Sequence, residues 1–106
     1  MQVVINGNMK MKEIRRKSID FMIDEVVADN GGIETSFKFD YLNDKAYIKL
    51  DDNFAKGNGY NNLHDMLDKQ PQMKEQLLKD NSGKIPEWLL VAENKSSILE
   101  YQSNLN

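Results

Sequence analysis

A chain of 106 residues, 40% apolar and 29% charged, matches one small folded domain spanning residues 1–106 and not a disordered tail. Lacking cysteine, it has no disulfide, thiolate metal site or cysteine nucleophile, and no stretch approaches the ~18 unbroken apolar residues of a membrane span. The net charge of −3 is unevenly placed: five of the 14 cations fall within residues 10–17 beside Glu13, which leaves nine lysines against sixteen carboxylates elsewhere.

In chain order, Gln2–Ile5 reads as a short strand closed by the turn signal Asn6-Gly7-Asn8. Met1–Met11 has neither the apolar run nor the small-residue cleavage site of a secretory signal, so a cytoplasmic protein is expected. From Met9 to Ala28 the apolar residues Met11, Ile14, Phe21, Met22, Val26 and Val27 recur at helical spacings, which predicts an amphipathic helix. Asn30-Gly31-Gly32 closes it, since glycine accepts the left-handed backbone of a helix C-cap.

Next, Ile33, Thr35, Phe37, Phe39 and Tyr41 alternate with Glu34, Ser36, Lys38 and Asp40, and Ala46, Ile48 and Leu50 alternate with Tyr47, Lys49 and Asp51. Period two predicts two strands, each with one buried face. A turn at Asn43-Asp44 is expected to pair Tyr41 with Ala46, Phe39 with Ile48 and Phe37 with Leu50. That register also sets Lys38 opposite Lys49.

Asp51–Asn62 reads as a polar loop holding Gly57-Asn58-Gly59. A short helix capped by Asn61 or Asn62 follows, with Leu63, Met66 and Leu67 inward. Pro71 opens another helix, which Asn81-Ser82-Gly83 ends. For the remainder, Trp88, Val91, Ile98, Tyr101 and Leu105 favour a helix from Pro86, with a buried strand at Trp88–Ala92 and a separate helix from Ser96 as the alternative. The expected fold class is α+β: an N-terminal amphipathic helix packed on a small antiparallel sheet built around one β-hairpin, with C-terminal helices. Because two strands alone are marginal, a third is expected from Gln2–Ile5 or Trp88–Ala92.

The chemistry-bearing residues are few. Lys10, Lys12, Arg15, Arg16 and Lys17 oppose the dipole at the start of the expected helix, which marks them as contacts for an anion or nucleic acid, with Lys38, Lys49 and Tyr47 as further members. The bland alternative is a solvated face paired with Asp20, Asp24 and Glu25. Asp51, Asp52 and Asn53 with Asp65 or Asp68 supply oxygen ligands without a calcium-loop pattern. His64, the single histidine, has no nucleophile motif beside it, so a surface role is expected. The loop around Gly57 fits neither phosphate-binding glycine pattern. No metal site, cofactor site or catalytic residue is predicted, and the chain is read as a non-enzyme.

The favoured function is a protein-binding module: a small acidic inhibitor, immunity or phage-type anti-defence protein that occludes a partner surface. Its Asn, Asp, Lys and Ile usage is that of AT-rich bacterial or phage genomes. Asp40, Asp44, Asp51 and Asp52 would steer association, with Trp88 and Leu89 as apolar anchors. The alternatives are a small nucleic-acid-binding protein using Lys10–Lys17, and a self-associating component of a larger, virion-like assembly. No membrane partner is expected.

Overall fold

Alternating apolar residues build the centre of the molecule. A computed structural model describes residues 10–18 and 22–104, and within them lie five strands and four helices. The strands are β1 (Lys10–Ser18), β2 (Ile23–Asn30), β3 (Ile33–Asp40), β4 (Lys45–Lys49) and β5 (Trp88–Ala92). The helices are α1 (Asp52–Gly57), α2 (Leu63–Lys69), α3 (Pro71–Asp80) and α4 (Lys95–Asn104). The chain is α+β. Its strands form one antiparallel sheet in the order β1-β2-β3-β4-β5.

Phe37 and Phe39 are fully buried, as is Ala46, and Ile48 and Leu50 are nearly so. Phe37, Phe39 and Tyr41 stack in a ladder along β3 with ring centres 6.4 and 6.2 Å apart. Five of the six residues expected to share one face of the hairpin therefore belong to the core, and Tyr41 packs against it. Their register, however, is displaced by two residues. Phe37 pairs with Ile48, Lys38 with Tyr47, Phe39 with Ala46 and Asp40 with Lys45. The reason is the turn, which occupies Tyr41–Asp44 and begins one residue earlier than expected. Asp44 takes a positive φ of 51° there, and Asp40 accepts hydrogen bonds from the Asn43 backbone and side-chain amides. A slip of two leaves every side chain on its original face, so the burial pattern was insensitive to it.

The expected N-terminal helix is replaced, within the described residues, by β1 and β2. The pair is irregular between Met11 and Glu13 and between Arg16 and Ser18. An inserted residue turns a spacing of two into a spacing of three. Met11 and Ile14 thus both lie across from core-facing residues of β2, Ala28 and Val26, although their spacing is that of a helix. Asn30-Gly31-Gly32 turns a hairpin here and caps no helix. Asn30 pairs with Ile33, and Gly31 and Gly32 have φ of 64° and 91°, the two positive values of a type I′ turn. Gln2–Ile5 lies outside the described residues.

Trp88–Ala92 is strand, against the favoured helix, and supplies the extra strand beside β4. The segment joining β4 to β5 carries α1, α2 and α3 over the Phe37 face, where Phe54, Ala55, Met66, Leu67 and Leu77 enter the core. Then α4 adds Ile98 and Tyr101, and Gln102 donates a hydrogen bond to the Tyr41 hydroxyl. The expected loop after Asp51 contains the short helix α1, too brief for any periodicity to be read. Asn62 caps α2 and Pro71 opens α3, as expected. Among the described residues, all four helices pack on the Phe37 face of the sheet, and none lies on the other.

Candidate functional site

Register places the residues of the helix-free face. Across β2 to β5 it presents Glu25, Lys38, Tyr47 and Leu90 in one row, and Ile23, Asp40 and Lys45 in the next. Lys49 lies across from Trp88, and Val27 across from Ser36. At the centre, the Lys38 ammonium lies 4.7 Å from the Tyr47 ring centre and 4.8 Å from the Trp88 ring centre. Three strands supply the three side chains, so the sheet itself holds the arrangement. A cation over two π-faces gains electrostatic attraction from both rings and loses little of its hydration.

The charges of this face divide by strand. Tyr47 has Lys45 and Lys49 two residues to either side, on its own face of β4, and Lys38 across from it. Glu25 and Asp29 on β2, with Glu34 and Asp40 on β3, make the neighbouring stripe acidic. Leu90 adds apolar area beside Tyr47 and is 39% exposed. The face thus runs from acidic residues on β2 and β3, through the lysines flanking Tyr47 on β4, to Trp88 and Leu90 on β5.

The residues expected to anchor a partner separate here. Trp88 lies on this face, whereas Leu89 pairs with Ile48 on the other side of the sheet and packs against the core. Leu90, its neighbour, is the outward one. The four carboxylates expected to act together lie at two ends of the hairpin. Asp40 and Asp44 belong to the β3–β4 turn; Asp51 and Asp52 follow β4, about 20 Å away at the rise of an extended strand. Asp51 caps α1, accepting from the Phe54 amide at 2.9 Å. Asp52 accepts from the Leu63 amide at 2.9 Å and so ties α1 to α2. Both are structural.

Lys10, Lys12, Arg15, Arg16 and Lys17 fall on β1, the first strand of the sheet among the described residues, and not on one helical face. Register sets Lys10 across from Asp29, Arg15 from Glu25 and Arg16 from Asp24. Three of the five cationic residues therefore have an acidic residue as register partner on the adjacent strand. Lys38 and Lys49, expected to oppose each other, are separated by the two-residue change of register.

No family model, curated protein or solved structure matches the chain.

Among the described residues, no three His, Asp or Glu side chains gather as metal donors. Asp65 accepts hydrogen bonds from the Asn61 amide at 3.0 Å and forms an ion pair with Lys69 at 3.0 Å. The Asn61 bond first, and Lys69 next, hold its carboxyl below the ordinary value of 3.8. His64 is outward on α2, 3.4 Å from Asp68. A cleft of about 630 Å³ opens beside α3, lined among others by Tyr60, Met66, Gln70, Met73, Gln76 and Leu89. Two pairs of its polar groups bond to each other: Gln70 donates to the Tyr60 hydroxyl at 2.7 Å and Gln76 to Asp80 at 2.9 Å. The sheet face has the richer set of outward groups. Sequence alone grouped Lys38, Tyr47 and Lys49 on the exposed face of the hairpin and singled out Trp88 separately. Their convergence depended on β5, which the apolar run did not reveal.

Proposed function

We propose that the chain is a non-enzymatic protein-binding module that occludes a partner through the helix-free face of its sheet. What supports this reading is the Lys38 ammonium close to both the Tyr47 and the Trp88 ring, with the lysines of β4 on one side and acidic residues of β2 on the other. Tyr and Trp bring large contact area at low entropic cost and dominate interface energies. Adjoining stripes of opposite sign match a protein surface of mixed charge, fixing its orientation and speeding encounter. A cytoplasmic inhibitor, immunity or phage-type anti-defence protein works by such occlusion. A nucleic acid fits less well, since a base stacking on the Tyr47 and Trp88 rings competes with Lys38, and acidic residues on β2 and β3 adjoin the lysines of β4.

Affinity capture from the source cell tests the proposal with three forms: the native chain, Y47A/W88A, and the helix-side control K74A/E75A. The expected result is a protein retained by the native chain and the control but lost from Y47A/W88A, with circular dichroism showing that the variant is still folded. Equal retention by all three forms overturns the proposal. So does capture that nuclease abolishes.

A further inference from the structure

Among the described residues the sheet ends at β1 and β5, and these two edges differ in composition. At one edge, β1 carries five cations between Lys10 and Lys17, the charged guard that keeps an edge from pairing with another chain. At the other, β5 reads Trp-Leu-Leu-Val-Ala, without charge or proline. Among the described residues, β5 pairs with β4 alone.

The hydrogen bond from the Leu50 amide to the Glu87 carbonyl, at 2.9 Å, sets the phase of this edge. Residues of an antiparallel strand alternate in the direction of their backbone groups. Glu87 and Leu89 turn theirs toward β4, so Trp88 and Leu90 turn theirs outward. The same two residues present their side chains on the helix-free face.

We propose that β5 pairs with β5 of a second copy, antiparallel about a two-fold axis at Leu89. This register sets Trp88 against Leu90 of the partner subunit twice over. Each of those pairs exchanges two backbone hydrogen bonds, using the outward groups of both chains. Trp88 and Leu90 of the two copies then form one apolar cluster on the helix-free face, and the two Leu89 side chains meet on the other. Charge favours the same register. Glu87 falls across from Val91, whereas a two-fold at Leu90 sets Glu87 against Glu93, and like charges directly across a ladder are destabilising. A three-residue overlap is far smaller than a permanent interface, so the dimer is reversible and depends on concentration. It sets the two helix-free faces side by side, with Trp88 and Leu90 shared between the dimer cluster and that face, and its test is separate from that of the function proposed above.

Sedimentation velocity from about 10 μM to about 1 mM tests the pairing on the native chain, Leu90→Lys and the control Leu42→Lys, which adds the same charge at the β3–β4 turn. The expected result is a mass rising toward twice that of one chain for the native form and L42K, with L90K remaining monomeric. Amide exchange of the native chain tests it without a variant: protection at Trp88 and Leu90 rises with protein concentration. A native chain monomeric throughout overturns the proposal. Dimerisation of L90K at native strength, or concentration-dependent protection on β1 and not β5, does the same.

Discussion

Lys38 on β3 holds its ammonium 4.7 Å from the ring centre of Tyr47, the residue directly across the ladder on β4. The pair is half-buried on a face with no helix above it, so its worth is that of a solvent-accessible cation–π contact, about 0.5–1 kcal/mol. A double-mutant cycle of Lys38→Met and Tyr47→Leu, read by urea unfolding, is expected to return a coupling energy in that range. A coupling indistinguishable from zero removes the contact as an ordering device.

The glycine turn between β2 and β3 gives a sharper test. With φ of 64° and 91°, Gly31 and Gly32 meet no steric obstacle to an added methyl group. The cost of a side chain there is therefore conformational. Gly32→Ala is expected to destabilise by about 1 kcal/mol, while Gly31→Asn, the residue favoured first in a type I′ turn, stays within about 0.5 kcal/mol of the native protein. Equal losses in the two variants contradict the turn type.

That turn also explains what the sequence conceals. A Gly-Gly pair after a run of spaced apolar residues ends a helix as readily as it turns a hairpin. The bulges in β1 imitate helical spacing between Met11 and Ile14. On β2, Val26 and Val27 are adjacent yet both buried, which breaks the alternation that reveals a strand. Only the β3–β4 pair, free of bulges within its ladder, was legible in full as to face, and even there the register depended on a turn whose start was one residue off. At β5 an irregularity falls opposite Ala46 and Tyr47, and with it the convergence of Trp88 on Lys38 disappeared from the pattern. The caps at Asn62 and Pro71 were legible because each depends on one local residue type.

Asp51 stands at such a junction. Its carboxylate accepts from the Phe54 amide and starts the helix that carries Phe54 and Ala55 into the core. Asp51→Ala is expected to cost about 1 kcal/mol, a fall in Tm of about 4 °C for a chain of this size. Asp51→Asn, which retains an accepting oxygen, stays close to the native value. If thermal melting places both variants at the native Tm, the capping role is wrong.

Acid stability follows from Asp65. Its carboxyl is held below the ordinary value of 3.8 by the Asn61 amide and by Lys69. The folded state therefore binds that proton less readily than the unfolded state does. Its contribution is present in full above the ordinary value and is lost as pH falls through the lower folded value. In Asp65→Asn the drop in urea midpoint between pH 5 and pH 3 is expected to be smaller than in the native chain. An identical drop assigns the acid sensitivity to other carboxylates.

The charge stripes allow a decisive comparison between a protein and a nucleic acid as the ligand of the sheet face. Three lysines surround Tyr47, and if all three met phosphates of a single strand, the affinity would fall with salt at a log–log slope of about −2. The carboxylates of Glu25, Asp29, Glu34 and Asp40 on the adjoining strands oppose such an approach. They leave no continuous path of cations along which a backbone can run. Anisotropy of a labelled single-stranded oligonucleotide, titrated at about 50 mM salt, is thus expected to show no saturable binding. Saturable binding with a slope near −2, weakened in Lys45→Glu and Lys49→Glu but not in Lys74→Glu on α3, moves the assignment from a protein partner to a nucleic acid, because only phosphate contacts at that face produce both effects together.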